Sequence, residues 1–325
     1  MNRREFGVGL CCANLSVPFA ALGQQTGRVY RLGILETVPA TRNRANLDSL
    51  RKGLRELGYV EGQNLMIEYR SADGRAERFP ELASELVRLK PDLILTRGTP
   101  AAQAVRNATE AIPAIMATMG DPSRLVASFA RPGGNITGVT TFSTELTGKR
   151  IEILKDLVPR LSQLGALYNM ANPAVPPEWE ETKRVAKTLG LQVQLFDVRS
   201  EDDLRNAIGM AARQNADALV VGADGLTQAH QQMIVDLMAN YKLPAAYPAR
   251  EFVEAGGLVA YAVNYPELYY RFAAFIDRIF KGTKPGDLPI EQPTRFELVV
   301  NVKNAKLLGL TISPAFLARV DEVFE

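Results

Sequence analysis

The sequence predicts an α/β protein that consists of two lobes, each with a parallel sheet. The chain has 325 residues, which exceeds the usual size of one domain, so two separate hydrophobic cores are expected. From residue 29 onward, short β-type runs alternate with amphipathic helical runs. That alternation is typical of parallel strands joined by crossover helices.

The first 23 residues are predicted to be an export signal. Arg3 and Arg4 precede a short apolar run, and residues 21–23 are of the kind that a signal peptidase recognises. The run is shorter than the roughly 20 apolar residues that span a bilayer, which disfavours a retained anchor. The paired arginines resemble a twin-arginine signal, although its lysine is missing. Neither Cys11 nor Cys12 follows a small residue, which disfavours a lipoprotein.

Removal of this signal leaves a nearly neutral chain without cysteine. The formal net charge of +2 loses two arginines and one glutamate and becomes +1. Such a balance gives no electrostatic reason to expect a nucleic acid or an anionic membrane surface as a partner. Disulfides cannot form in the exported chain, so the prediction of export depends on the signal alone.

Strand candidates follow one another in both halves of the chain. The helix between the first two ends at Gly58, as a glycine C-cap does, and the next helix stops at Pro91. The candidates are 29–36, 64–70, 92–96, 114–118 and 136–142, then 163–169, 191–198, 217–223, 243–247 and 257–263. A helix at 266–282, a Pro-rich connector and a final strand and helix come later. This late return indicates that the chain crosses between the lobes more than once.

Residues that follow the strands are the candidate site residues, because parallel sheets bind ligands beyond the carboxyl ends of their strands. In the first half these are Glu36, Thr37, Thr118 and Asp121. Thr99 is a favourable N-cap with Pro100 at the first helical position, so the free amides of that turn could receive a carboxylate. Plain helix capping is the alternative for Thr99 and also for Asp121.

The second half offers aromatic candidates. Tyr168, Tyr247 and Tyr261 end or follow strands and could stack on a ligand, although each alone is more often a core-edge aromatic. Asn169 and Asp224 also follow strands.

Features of catalysis or phosphate binding are missing from the sequence. The stretch FARPGGNITG (129–138) has no G-x-G-x-x-G and no following Lys-Ser or Lys-Thr, so we interpret it as a structural turn beside the hinge. His230, the single histidine, is expected on a solvated helix face, and no G-x-S-x-G is present. We therefore expect no enzyme, no metal and no cofactor.

Five segments resemble hallmark sequences of one family. They are ELGYVEGQNLMIEYR (56–70), LVASFARPGGNITGV (125–139), ELTGKRIEILKDLVP (145–159), AAYPAREFVEAGGLVAYA (245–262) and EQPTRFELVVNVKNAKLLGL (291–310). The family is the ABC-transporter substrate-binding proteins, in the group with tryptophan- and tyrosine-binding members. The resemblance implies a type I periplasmic binding protein fold, with two Rossmann-like lobes, a three-crossover hinge and closure on a small molecule. The implied lobes are 28–142 plus 262–287, and 143–261 plus 288–325.

The resemblance also implies a site in the interlobe cleft. The positions that it designates are Glu36-Thr37, Gly98-Thr99, Thr118 to Asp121 with Met119 between them, Tyr168-Asn169, Ala223-Asp224 and Tyr247. Two pairs depart from the family: Glu36-Thr37 stands where Ser-Pro is common, and Asp224-Gly225 where Asp-Pro is common. The segment after Pro122 is also shorter. An aromatic amino acid therefore cannot be assumed as the ligand.

These observations lead to a hypothesis of a monomeric, periplasmic binding protein that supplies an ABC permease in the inner membrane. Its expected ligand is a small molecule such as an amino acid or a related carboxylate, with Thr99 and nearby amides at the carboxylate. A ligand-sensing module that reports to a membrane receptor is the alternative. An effector-binding domain of a repressor would need an N-terminal helix-turn-helix, where an export signal stands instead.

Overall fold

A computed structural model of the chain describes residues 28–120, 125–141, 143–293 and 295–325, with only the backbone of Met119 and Ser143. The predicted export signal and Asp121 lie outside the described residues. No helix in the described part of the chain is long and apolar enough to cross a membrane.

The first sheet contains five strands, all parallel. They are β1 (Tyr30–Glu36), β2 (Leu65–Ser71), β3 (Leu93–Arg97), β4 (Ala114–Met119) and β5 (Ile136–Thr140). Their order across the sheet is β2-β1-β3-β4-β5. The residues of β1, β3 and β5 are almost all buried, as expected for parallel strands covered by helices on both faces. We call this sheet with its helices lobe 1.

The second sheet contains seven strands and forms lobe 2. They are β6 (Gln163–Tyr168), β7 (Gln192–Asp197), β8 (Ala218–Val221), β9 (Ala245–Tyr247), β10 (Val259–Val263), β11 (Phe296–Asn301) and β12 (Glu322–Phe324). Their order is β12-β11-β10-β9-β8-β6-β7, and β10 and β11 pair antiparallel. The ten strands predicted in the two halves are all present, with ends within two residues of those expected. The short edge strand β12 was not predicted.

Helices cover both sheets. They are α1 (Arg44–Glu56), α2 (Phe79–Arg88), α3 (Thr99–Ala108), α4 (Ser143–Leu157), α5 (Val175–Thr188), α6 (Glu201–Arg213), α7 (Gly225–Ala229), α8 (Gln231–Asn240), α9 (Arg250–Glu254), α10 (Tyr265–Phe280), α11 (Val302–Leu307) and α12 (Pro314–Leu317). The single helix predicted at 227–241 is in fact α7 and α8, because His230 at φ −111° and ψ 23° interrupts the helical backbone.

The chain crosses between the lobes three times. It enters lobe 2 after β5, returns after β10 to form α10, and enters lobe 2 again before β11. The helix α10 packs against α1 of lobe 1, and the ring of Phe280 at its end stacks on Tyr30 at 4.4 Å between centroids. The predicted boundary at residue 261 cuts β10, so we propose that the lobe boundary follows Val263 instead.

The Gly-rich turn at 129–138 lies against the third crossing. The amide of Gly133, at φ +79°, donates to the carbonyl of Gly286 at 3.2 Å, and the amide of Ile290 donates to the carbonyl of Phe129 at 2.8 Å. A side chain at Gly286 would lie 2.9 Å from the carbonyl oxygen of Gly134. The two backbone segments approach so closely that a side chain would not fit between them, which explains the glycines on both sides of this contact.

Candidate ligand-binding site

A cavity lies between the carboxyl ends of the two sheets, with walls from both lobes. The space inside it that the centre of a water molecule can occupy is about 80 Å³. Six of the predicted site residues line it, four named from strand ends and two, Gly98 and Ala223, from the family resemblance. The six are Thr37, Gly98, Thr99, Thr118, Ala223 and Asp224. The topology brings these six residues together, because each of them lies at or just beyond the carboxyl end of a parallel strand.

The turn from β3 into α3 forms the centre of the lobe 1 wall. Gly98 adopts φ +82° and ψ 159° and is the N-cap of α3, so Thr99 and Pro100 are the first two helical residues. The prediction of Thr99 as the N-cap was wrong by one residue, because Gly98 can adopt a backbone conformation that a β-branched residue avoids. The first amides of α3 still have no intrahelical acceptor, and the positive end of the helix dipole faces the cavity.

Arg97, the last residue of β3, lies in this wall and is only 6% exposed. Its guanidinium carbon lies 4.1 Å from the ring centroid of Tyr265, a cation–π contact. No acidic side chain in the described ranges forms an ion pair with it within 4 Å. Burial is the largest single effect on the pKa of Arg97 and acts to lower it. The Coulombic effects of Glu36, Tyr265, Tyr269 and Glu251 together outweigh burial, so the pKa is raised above its ordinary value. The cavity therefore contains a permanent buried cation.

Glu36 does not line the cavity. Its side chain is fully buried and accepts hydrogen bonds from the Thr37 amide and Asn43 Nδ2, both at 3.0 Å, and from the Tyr269 hydroxyl. Burial, together with Glu36, raises the pKa of Tyr269 well above its ordinary value, so this hydroxyl remains a donor. Glu36 is therefore a buried counter-charge behind Arg97, and its predicted role as a ligand contact does not fit its position.

Thr118 marks a local irregularity at the end of β4. The pairing of β4 with β5 shifts register between Ala117 and Met119, and Thr118 adopts φ +70°. That conformation is unusual for a β-branched residue, and strain of this kind clusters at ligand sites.

The lobe 2 wall contains two carboxylates, Asp224 and Glu178. Asp224 caps α7: its Oδ1 accepts from the Leu226 amide at 2.9 Å and from Asn169 Nδ2 at 3.1 Å, and its Oδ2 accepts from Asn172 Nδ2 at 2.8 Å. Asn169 thus holds Asp224 and is not itself in the cavity wall. Glu178 of α5 is buried, lines the cavity and accepts from Thr147 Oγ1 at 3.4 Å.

The three predicted tyrosines lie outside the cavity wall. Tyr168 is fully buried in lobe 2, where its hydroxyl lies 2.6 Å from Thr182 Oγ1. Tyr247 stacks on Phe252 at 5.0 Å between centroids, and Tyr261 packs on Phe296 at 5.9 Å. Their expected role in stacking on a ligand is therefore corrected to core packing. Among the described residues, the aromatic rings that line the cavity belong to Phe79 and Tyr265.

Sequence reasoning missed Arg97, Glu178 and Tyr265. A signal existed only for Arg97, which is a charged residue at the end of the buried run Leu93–Leu95 and directly before Gly98. Tyr265 starts α10 directly after the second crossing, so its approach to the cavity depends on the arrangement of the lobes.

Three comparisons with known proteins bear on this site. Residues 31–324 match the family model described as "ABC transporter substrate binding protein". A tyrosine-binding protein of Clostridioides difficile is 27% identical over 271 residues, which are 82% of this chain and 78% of that protein. A structure of an ABC domain in complex with L-Trp, from Streptococcus pneumoniae, is 29% identical and matches with a TM-score of 0.83 over 91% of this chain and 100% of that one.

A further match is to a ligand-free, open structure of a substrate-binding protein with adhesive properties from Clostridium difficile. It is 25% identical, with a TM-score of 0.65 over 91% of this chain and 99% of that one. At comparable identity and coverage, this chain as a whole therefore superposes better on the L-Trp complex than on the open structure. These matches confirm the predicted α/β class with two mainly parallel sheets.

Proposed function

The chain belongs to the ABC transporter substrate-binding proteins, and from this premise we propose that its ligand is an α-amino acid held between the two lobes. The family binds small solutes and works with an ABC permease, and the type I periplasmic binding protein fold predicted from the sequence is confirmed by the structural matches. What remains to be proposed is the class of ligand, the residues that hold it and the place where it is bound.

The observation that carries the proposal is the buried guanidinium of Arg97 in the cavity wall. A buried charge requires compensation. Glu36 and Glu251 stabilise this cation from a distance, but no acidic side chain among the described residues forms an ion pair with the guanidinium within 4 Å. A ligand carboxylate can accept two parallel hydrogen bonds from a guanidinium, the geometry for which arginine is best suited. The first amides of α3, beside Thr99, add donors at the positive end of a helix.

The lobe 2 wall supplies the complementary charge. Asp224 Oδ2 accepts one hydrogen bond, from Asn172, so it retains acceptor capacity for an ammonium group. Glu178 contributes a second acid on the same side. A ligand with a carboxylate toward Arg97 and an ammonium toward Asp224 joins the two lobes, and Phe79 and Tyr265 offer apolar surface to its side chain.

Binding is coupled to closure because these contacts come from different lobes. A ligand shifts a conformational equilibrium only by its difference in affinity for the two states. In an open state an amino acid can contact Arg97 or Asp224 but not both. Rotation about the three crossings, a hinge motion, brings both contacts together and stabilises the closed state that the permease receives.

Calorimetry with matched ligands tests the proposal. The panel holds the common L-amino acids, and for each hit the amine without its carboxylate and the acid without its ammonium. We expect one or more amino acids to bind with both analogues weaker by about 10-fold or more, because each analogue leaves a buried charged group unpaired. Absence of heat and of thermal shift with every amino acid would exclude the amino-acid ligand.

Location and partners complete the proposal. The leader at 1–23 supports export to the periplasm, where a monomer would meet the permease; the near-neutral charge supports the absence of a nucleic-acid partner. Solute-binding families of this kind are typically non-enzymatic, and we propose no catalysis. The sensing alternative is not favoured, since the matched family is one of transport proteins.

A further inference from the structure

The two lobes touch directly at the mouth of the cleft, along a line that we call the seam. On the lobe 1 side are Thr37, after β1, and Gly74, after β2. On the lobe 2 side are Gly225 and Ala229, the first and last residues of α7. Arg42 of lobe 1 also donates from Nη1 to the carbonyl of Ala229.

Both seam contacts depend on a missing side chain. A Cβ added at Gly74 would lie 2.4 Å from Ala229 Cβ, and one added at Gly225 would lie 3.0 Å from Thr37 Cγ2. Carbon atoms at 2.4 Å overlap strongly, and close-packed protein does not absorb such an overlap locally. The backbone at Gly74 is also fixed, because its amide donates to the carbonyl of Thr37 at 2.9 Å.

We propose that Gly74 is a positioning residue for ligand binding: the lack of a side chain at this site lets the lobes close completely. A methyl group at position 74 would contact Ala229 before closure is complete and would keep the cleft partly open. The open state has no contact across the seam and would tolerate the methyl group. Affinity then falls in proportion to the lost population of the closed state.

This inference rests on the proposed function only for its effect on affinity; closure itself can be measured without a ligand. The Cβ of residue 225 would lie 3.4 Å from Thr37 Cβ, close to the mean of about 3.8 Å in disulfides. A variant with Thr37→Cys and Gly225→Cys, in the full chain with Cys11→Ser and Cys12→Ser, should therefore form a disulfide when the lobes close. The rate of oxidation reports closure.

Gly74→Ala is then added to this cysteine pair, with Gly62→Ala as the matched control. Gly62 has φ +83°, close to the +79° of Gly74, but no atom lies within 4 Å of an added Cβ. The two variants share the strain of a positive φ and differ in the collision across the seam. We expect crosslinking to slow by about 10-fold or more in Gly74→Ala relative to Gly62→Ala, and Ala229→Gly to restore part of the rate.

Equal crosslinking rates in the Gly74→Ala and Gly62→Ala proteins would overturn the proposal, whether or not a ligand is known. A slower rate in Gly74→Ala that Ala229→Gly does not relieve would overturn it as well, because the effect would then not arise at this contact. Failure of the amino-acid panel would leave the crosslinking result intact and would count against the proposed ligand class alone.

Discussion

The two walls of the cleft differ in the sign of their charge and in how that charge is held. Lobe 1 presents Arg97, a cation that contacts an aromatic ring and has its counter-charge, Glu36, behind it. Lobe 2 presents Asp224, an anion fixed from the sides by two asparagine amides and one backbone amide. Each wall alone attracts one end of a zwitterion, so selectivity for a molecule with both charges requires that the walls come together.

The largest effect is expected from removal of the cation. Arg97→Met should weaken amino-acid binding by about 30-fold or more, because truncation of one partner of a buried, hydrogen-bonded charge pair costs about 2–5 kcal/mol. Calorimetry measures the affinity, and thermal unfolding shows whether the protein remains folded. Arg97→Lys retains the charge but not the planar fork, and we expect an intermediate loss. Wild-type affinity in Arg97→Met would contradict the assignment of the carboxylate site.

Removal of the anion should have a smaller effect. Asp224→Asn keeps an N-cap residue that α7 accepts but removes the charge toward the ammonium group. A hydrogen bond to a charged group contributes about 1.5–3 kcal/mol, so we expect about 10- to 100-fold weaker binding. Asp203→Asn is the control, since Asp203 lies in the first turn of α6 and outside the cavity wall. If both variants bind equally well, the charge of Asp224 is not a ligand contact.

Substitution of Tyr168 distinguishes residues of the cavity wall, which affect affinity, from residues of the core behind it, which affect stability. Tyr168→Phe removes the hydroxyl that pairs with Thr182 and should lower the free energy of unfolding by about 1 kcal/mol. In a chain of this length that corresponds to a fall in Tm of about 2 °C. Affinity should not change, because Tyr168 does not line the cavity. A change in affinity with unchanged Tm would return Tyr168 to the site.

The smallest expected effect concerns pH. Burial lowers the pKa of His230 below its ordinary value of 6.5, with Arg42 and Arg205 acting in the same direction and Glu201 opposing them. The unfolded chain therefore binds this proton more readily than the folded chain, and stability falls as the pH drops below about 6.5. Thermal unfolding between pH 7.5 and 5.5 should show a small loss that His230→Gln reduces. An unchanged slope in His230→Gln would show that other groups cause it.

Much of the architecture could be predicted because it depends on local patterns. Buried β-rich runs bounded by helices placed the ten strands β1 to β10 within two residues of their observed ends. The rule for carboxyl ends of parallel strands led to Thr37, Thr99, Thr118 and Asp224 at the cavity. Their role in binding remains a prediction. The edge strand β12 is short and mostly exposed, so it lacked the apolar pattern that revealed the others.

The rest of the site depended on three-dimensional arrangement. Tyr168 and Tyr247 end strands, but their side chains point into the packed faces of the sheet. The position of a residue at a strand end does not determine whether its side chain lies on a packed face or at the carboxyl edge beside the cavity. Tyr265 reaches Arg97 because α10 returns to lobe 1 after the second crossing. The position of the α3 cap depended on the positive φ of Gly98, a conformation that no neighbouring residue indicates.

A surface depression at the hinge offers a position for a reporter dye. Asn264, Glu267 and Arg295 line a shallow depression there, between the second and third crossings, and Glu267 is exposed. The lobe rotation proposed above would change the width of this depression, because its lining residues belong to two different crossings. An environment-sensitive dye on Glu267→Cys would therefore alter its emission as solute is captured, which would turn the protein into an optical sensor that reads concentration without touching the cavity.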